Sequence, residues 1–126
     1  MIQGYSTSEG TANFIKKSTA NQENFRKIQN LPLSNVGIGT YLGNPDANTD
    51  VLVENAVKQS ILAGINVIDT AINYRFQKAE RSVGKAIATL VSEGKINRDE
   101  IFVSTKNGYV TNDGDINEDF WSYVNR

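Results

Sequence analysis

From Val36 to Lys106, short β-branched runs alternate with amphipathic stretches, and this alternation constrains the fold more than any other feature. Val36–Thr40 reads Val-Gly-Ile-Gly-Thr, Ile65–Thr70 reads Ile-Asn-Val-Ile-Asp-Thr, and Ile101–Lys106 reads Ile-Phe-Val-Ser-Thr-Lys. Each has the composition of a short buried strand. Between the first two, a stretch from Asp50 to Ala63 has apolar or small residues at Val53, Ala56, Val57, Ser60 and Ile61, followed by Gly64. That spacing lies on one helix face. Asp46, Thr49 or Asp50 can cap its start, and Gly64 suits a left-handed stop. Between the second and third runs, Val83, Ala86, Ile87, Leu90 and Val91 make another stripe, with Glu80 near its start and Gly94 at its end. Lys58, Lys78, Arg81 and Lys85 are expected to face solvent. Strand, helix, strand, helix, strand in this order implies parallel strands joined by right-handed crossovers, an α/β fold.

The flanks are less regular. Phe25–Ile28 and Leu31–Ser34 around Gln29-Asn30 predict a small hairpin, and Ser8–Lys17 predicts a short helix docked through Phe14 and Ile15. Residues 1–30 thus read as a polar extension ahead of a main unit over 31–126. Past Lys106, Asn112-Asp113-Gly114-Asp115 is a turn cluster. It leads to a short helix within Asn117–Val124, which Trp121 is expected to anchor. The first thirty residues lack the apolar block of a secretory signal. The run Ile61–Ile68, broken by Gly64 and Asn66, is far too short to span a bilayer. A soluble, cytoplasmic protein is expected, with no membrane partner.

Composition narrows the chemistry. Among 126 residues there is no Cys and no His. Disulfides, redox dithiols, thiolate or imidazole metal sites and imidazole bases all drop out, and no metal is expected. Lys and Arg number 13 against 14 Asp and Glu, a balance that speaks against nucleic acid as a partner. Carboxylates, phenols and amines remain.

Such groups sit where the predicted strands finish, the end at which sites gather in parallel α/β folds. The strand ends offer Thr40-Tyr41, Asp69-Thr70 and Thr105-Lys106, with Tyr74 in the loop after the second strand. Asp69 and Lys106, ending consecutive strands, can reach ion-pairing distance, and Tyr74 can fold back over them. A free phenol is a poor acid at neutral pH; an ammonium beside it favours the phenolate, and a carboxylate can hold that ammonium. The set makes a tunable acid/base without imidazole, suited to protonating a carbonyl oxygen. On spacing alone, an Asp-Thr turn, a solvated lysine and a packed tyrosine account for the same residues.

Here the sequence resembles the N-terminal part of an aldo-keto reductase. The segments that carry the resemblance are Gly37-Ile38-Gly39-Thr40-Tyr41-Leu42-Gly43 and Gly64-Ile65-Asn66-Val67-Ile68-Asp69-Thr70-Ala71-Ile72-Asn73-Tyr74. They continue with Ala79-Glu80-Arg81-Ser82-Val83-Gly84-Lys85-Ala86 and Arg98-Asp99-Glu100-Ile101-Phe102-Val103-Ser104-Thr105-Lys106. They fall in family order over Leu31–Val110; the region from Gly4-Tyr5 to Ile28 is a looser match to an extension in a longer bacterial-type branch. The resemblance implies a (β/α)8 TIM barrel, of which this chain holds the first three strands and two crossover helices. It implies reduction of a small-molecule carbonyl, or oxidation of an alcohol, with a nicotinamide cofactor, usually NADPH. Asp69, Tyr74 and Lys106 fall on the family's catalytic aspartate, tyrosine and lysine. Gly39, Thr40 and Tyr41, together with Asp69, fall on positions that border the cofactor.

Other features read structurally. Gly37-Ile38-Gly39 lacks the third glycine and following helix of a dinucleotide fingerprint. Glu80 is expected to be a buried polar anchor and Gly84 a close-packing helix glycine, and Lys16-Lys17 and Arg26-Lys27 to be solvated charge. The family's fourth-strand histidine and most of its cofactor-gripping segments have no counterpart in this sequence. The chain is therefore expected to be an N-terminal piece of a reductase, inactive alone. A non-catalytic part-barrel that binds or self-associates, or one piece of a split reductase, are the alternatives.

Overall fold

The computed structural model describes residues 2–114, 117 and 119–125. Helix α1 (Ser8–Lys17) starts at Thr7, whose hydroxyl oxygen accepts the Gly10 N–H at 2.9 Å and so satisfies one free amide of the first turn. After a 3-10 turn at Gln22–Asn24 come two antiparallel strands, β1 (Phe25–Ile28) and β2 (Leu31–Ser34). Gln29 (φ 48°) and Asn30 (φ 68°) are both left-handed between them. Two consecutive left-handed residues give a turn whose twist matches that of the strands, so the hairpin closes without splaying.

A parallel sheet follows, made of β3 (Ile38–Gly39), β4 (Val67–Asp69) and β5 (Phe102–Ser104), with β4 in the middle. Gly39 lies opposite Asp69, and Asp69 lies opposite Ser104. The strands are shorter than the apolar runs. At the start of the first run, Ser34 Oγ donates to the Val36 carbonyl at 2.7 Å and holds it out of the ladder. At the far end, single ladder bonds persist: Thr40 N–H to Asp69 O at 3.1 Å and Thr70 N–H to Ser104 O at 2.9 Å.

Helices α2 (Ala47–Leu62) and α3 (Lys78–Ser92) connect the strands. Asp46 caps α2, accepting the Thr49 N–H at 2.7 Å, and that bond holds its carboxyl below the usual range. Val57 and Ile61 of α2 meet Ile68 of β4 and Val83, Ala86, Ile87 and Leu90 of α3 in one core, which Phe14, Ile96 and Ile101 extend. The stripe on α2 differs from the apolar pattern in one place: Ala56 is exposed and Glu54 is buried. Glu54 is tolerated there because Lys85 and Lys58 each reach one of its oxygens at 2.9 Å. Those two ammonium groups, Lys85 first, hold its carboxyl below the usual range. Lys58 is therefore drawn onto a carboxylate instead of facing open solvent, and Lys78 approaches Asp50 at 3.6 Å in the same way.

The extension is sewn onto the sheet. Thr7 N–H donates to Asp99 O at 3.0 Å, and Phe14 enters the core edge-on to Phe25. Lys17, expected as solvated charge, instead pairs with Glu100 at 2.6 Å. Asn66, fully buried just ahead of β4, accepts the Ser34 N–H at 2.8 Å and donates to Pro32 O at 3.1 Å. α1 comes so close to the 3-10 turn Arg98–Glu100 that a Cβ on Gly10 would lie 2.4 Å from the Asp99 carbonyl oxygen. Gly10→Ala is expected to cost about 1–3 kcal/mol by overpacking, outweighing the roughly 1 kcal/mol gained in helix propensity. The urea midpoint of the two proteins checks this; an unchanged or raised midpoint would show that α1 is not pinned there.

Two glycine and tryptophan expectations need correction. Gly84 is not close-packed: among the described residues, its own helix turn apart, nothing lies within 4 Å of where its Cβ would be, because it faces a groove between α3 and β5. Trp121, expected as a hydrophobic anchor, is 67% exposed on the short helix α4 (Phe120–Val124) instead of buried. The predicted turn cluster is described only as far as Gly114 (φ 76°), whose N–H donates to Phe76 O; Asp115 lies outside the described residues. None of the described helices is long and apolar enough to cross a membrane.

Candidate active site

The site is a product of parallel register. Side chains two residues apart share a face of a strand. With Asp69 opposite Ser104, Lys106 emerges one step further on, beside the carboxylate. Its ammonium donates to Asp69 Oδ1 at 2.6 Å and to the Thr70 carbonyl at 2.9 Å. Beyond β4 the chain turns back through Ala71, whose carbonyl accepts the Tyr74 N–H at 3.1 Å. That turn brings the Tyr74 ring beneath the lysine, with Nζ 4.9 Å from the ring centroid. Tyr41, from the loop after β3, meets Tyr74 edge-on at 5.0 Å and 70°.

Asp69 and Lys106 are each about half exposed, 44% and 48% of their side chains, so water screens the pair and its contribution to stability is small. Its effect is on placement and protonation. The bond to Asp69 raises the Lys106 pKa above the usual lysine value, and Tyr74 adds to the rise. The ammonium is therefore charged throughout the neutral range, fixed at one point and facing a phenol.

The remaining residues expected at the site divide. Gly39 is exposed, and among the described residues, its chain neighbours apart, no atom lies within 4 Å of where its Cβ would be, which leaves open space over the end of β3. Tyr41 is 63% exposed beside it. Thr40 does not join them: it is 2% exposed, and its hydroxyl donates to the Asp69 carbonyl at 3.1 Å. Its polar atoms hold β3 to β4 and are turned away from solvent. An open glycine face, an accessible carboxylate oxygen and an aromatic wall fit one end of a nicotinamide nucleotide, with Asp69 able to accept from a sugar hydroxyl.

Two neighbours carry more than their sequence positions suggest. Glu80, at the start of α3, accepts a hydrogen bond from the Thr105 hydroxyl and so grips the chain just past β5, one residue before Lys106; it is half-buried rather than buried. Arg75, directly after Tyr74, is buried and reaches Asp50 at 2.8 Å. An arginine in a polar loop reads as solvated, and its acidic partner is 25 residues away on another element. No local spacing rule links them.

A family profile described as the aldo/keto reductase family matches residues 35–122. The chain is 34% identical over 85 residues to the NADH-specific methylglyoxal reductase of Escherichia coli (strain K12), covering 64% of this chain and 24% of that protein. It is 27% identical over 94 residues to aldose reductase C of Dictyostelium discoideum, covering 75% of this chain and 27% of that protein. The chain thus spans about a quarter of the length of these relatives. The matched stretch takes in more than half of the residues and every member of the cluster at the strand ends, and the chain belongs to the aldo/keto reductase family.

Proposed function

We propose that Asp69, Tyr74 and Lys106 form the proton-delivering part of a carbonyl reductase active site that works with a nicotinamide cofactor. The observation that carries this reading is the ammonium of Lys106, bonded to Asp69 at 2.6 Å and poised 4.9 Å from the centre of the Tyr74 ring. Tyr74 holds the substrate carbonyl oxygen and gives it a proton. Lys106 favours the negative oxygen left on the ring, and Asp69 keeps Lys106 in place. A bound nicotinamide supplies the hydride that reaches the carbonyl carbon. Gly39 and Tyr41 border the cofactor together with Asp69, while Thr40 contributes by fixing the strand end.

In this reading β3, β4 and β5 are the first three strands of a (β/α)8 barrel, and residues 31–126 are its N-terminal part behind a polar extension over 1–30. The site then lies at the carboxyl ends of the strands, where barrel enzymes place their chemistry. The proposed cofactor is NADPH. One relative is named for NADH, so both belong in the assay.

The test uses the protein as its natural source makes it, given NADPH or NADH and a panel of small aldehydes and ketones. Aldehyde-dependent loss of nicotinamide absorbance is expected, faster with NADPH. No turnover on any carbonyl, together with no quenching of nicotinamide fluorescence, would overturn the reading.

A further inference from the structure

We propose that Arg75 is a positioning residue for Tyr74: its buried guanidinium holds the left-handed loop that aims the phenol. The inference rests on the reading of Tyr74 as the proton donor.

Three consecutive residues after Tyr74 have positive φ: Arg75 at 49°, Phe76 at 54° and Gln77 at 68°. None is glycine, and such conformations persist only where the surroundings over-determine them. The run reverses the chain between β4 and α3, and Tyr74 stands at its first corner. Its restraints are visible. Gln77 Nε2 donates to the Thr111 carbonyl at 3.2 Å and to the Tyr123 hydroxyl at 3.1 Å, and the Phe76 carbonyl accepts the Gly114 N–H at 2.9 Å. These bonds hold the far end of the run. The near end, next to the phenol, is held by Arg75.

The Arg75 side chain is 1% exposed. Nη1 donates to Asp50 Oδ1 in the first turn of α2 at 2.8 Å and reaches the Asn44 carbonyl at 3.4 Å. Nη2 donates to Ser82 Oγ on α3 at 3.0 Å. One planar fork therefore ties together α2, α3 and the loop between β3 and α2. That last loop also carries Tyr41, whose ring abuts Tyr74. A rigid guanidinium fixes direction as well as distance, which a lysine ammonium cannot do.

Stability alone is a poor reason for this arrangement. Nε is buried with no partner among the described residues, and a buried cation with one half-buried carboxylate repays its desolvation badly. An apolar side chain would fill the same space at lower cost. What the fork adds is a fixed path from two helices to the backbone of the residue beside the phenol.

The experiment compares Arg75→Met, Arg75→Lys, Asp50→Asn and Tyr74→Phe in the protein as its natural source makes it, with turnover scaled to the number of sites that bind NADPH. Arg75→Met is expected to lose about tenfold to a hundredfold in kcat, the scale set by small misplacements of a reacting group, with KM within about twofold. The solvent deuterium isotope effect on kcat should rise, since proton transfer from a mis-aimed phenol becomes slower. Arg75→Lys should recover part of the rate, and Asp50→Asn should show a smaller loss with the same rise in isotope effect. A merely structural role would lower the number of folded sites and leave both kcat per site and the isotope effect alone. That result in Arg75→Met, or in Asp50→Asn if Arg75→Met does not fold, overturns the inference. Full turnover in Tyr74→Phe overturns the acid assignment itself and the inference with it. An inactive Tyr74→Phe beside a full-rate Arg75→Met overturns the inference alone.

Discussion

Tyr74→Phe is expected to lower carbonyl turnover about a hundredfold or more, the usual worth of a positioned general acid, while nicotinamide affinity stays within about twofold. The substitution is conservative because the ring keeps its contacts with Tyr41 and with the Lys106 ammonium. A phenylalanine still meets Tyr41 edge-on at 5.0 Å and still lies under the Lys106 ammonium at 4.9 Å, and gives up only the phenol oxygen's own interaction with that ammonium. What disappears is the only proton of that ring able to pass to a carbonyl oxygen. Steady-state kinetics on the protein as its natural source makes it, with nicotinamide fluorescence to count binding sites, separates loss of chemistry from loss of fold. Near wild-type turnover would remove Tyr74 from the role proposed for it.

Lys106→Met should cost at least about tenfold in turnover by removing the charge that favours the phenolate. Its second consequence concerns pH. Lys106 has its pKa raised in the folded state, chiefly by Asp69. A group raised on folding contributes stability in full below its unfolded value and loses that contribution as pH climbs through the folded value. Separately from stability, Lys106 helps turnover only while its ammonium is charged, and the contact with Asp69 holds that charge past the usual lysine value. The methionine variant should start from the lower rate at neutral pH and lose nothing further through the lysine's own titration. Asp69, left without its cation, is open enough to water that the fold should survive. A variant with unchanged turnover and an unchanged alkaline limb would show that the ammonium does not act on the reaction.

The regular parts of this structure were legible because each depends on a short window. The hairpin around Gln29-Asn30, the helix at Ser8–Lys17 and the alternation of strands with helices follow from period and turn chemistry. The meeting of Asp69 with Lys106 was legible too, since in parallel strands the residues just past the ends must be neighbours. Long-range polar bonds were not. Lys17 finds Glu100, and Arg75 finds Asp50, through tertiary packing that no local pattern encodes. The burial of Glu54 depends on two lysines, one of them on another helix. Gly84 misleads for a related reason: helix glycines often permit close approach, but this one opens onto a groove. The inward turn of Thr40 depends on a carbonyl of the neighbouring strand.

Asn66 has a consequence of a different kind. It fastens the hairpin at the amino end of β4, whereas Asp69 stands at the carboxyl end of the same three-residue strand. One end of the strand is committed to holding the chain together, and the other is left to loops. Over evolutionary time, insertions and substitutions after β3, β4 and β5 could recast what the protein accepts without disturbing the fastening beneath. Changes at Asn66, Pro32 or Ser34 would have no such freedom. A lineage of such proteins should therefore drift quickly at one end and slowly at the other, and a comparison of natural variants would show that gradient within a single short strand.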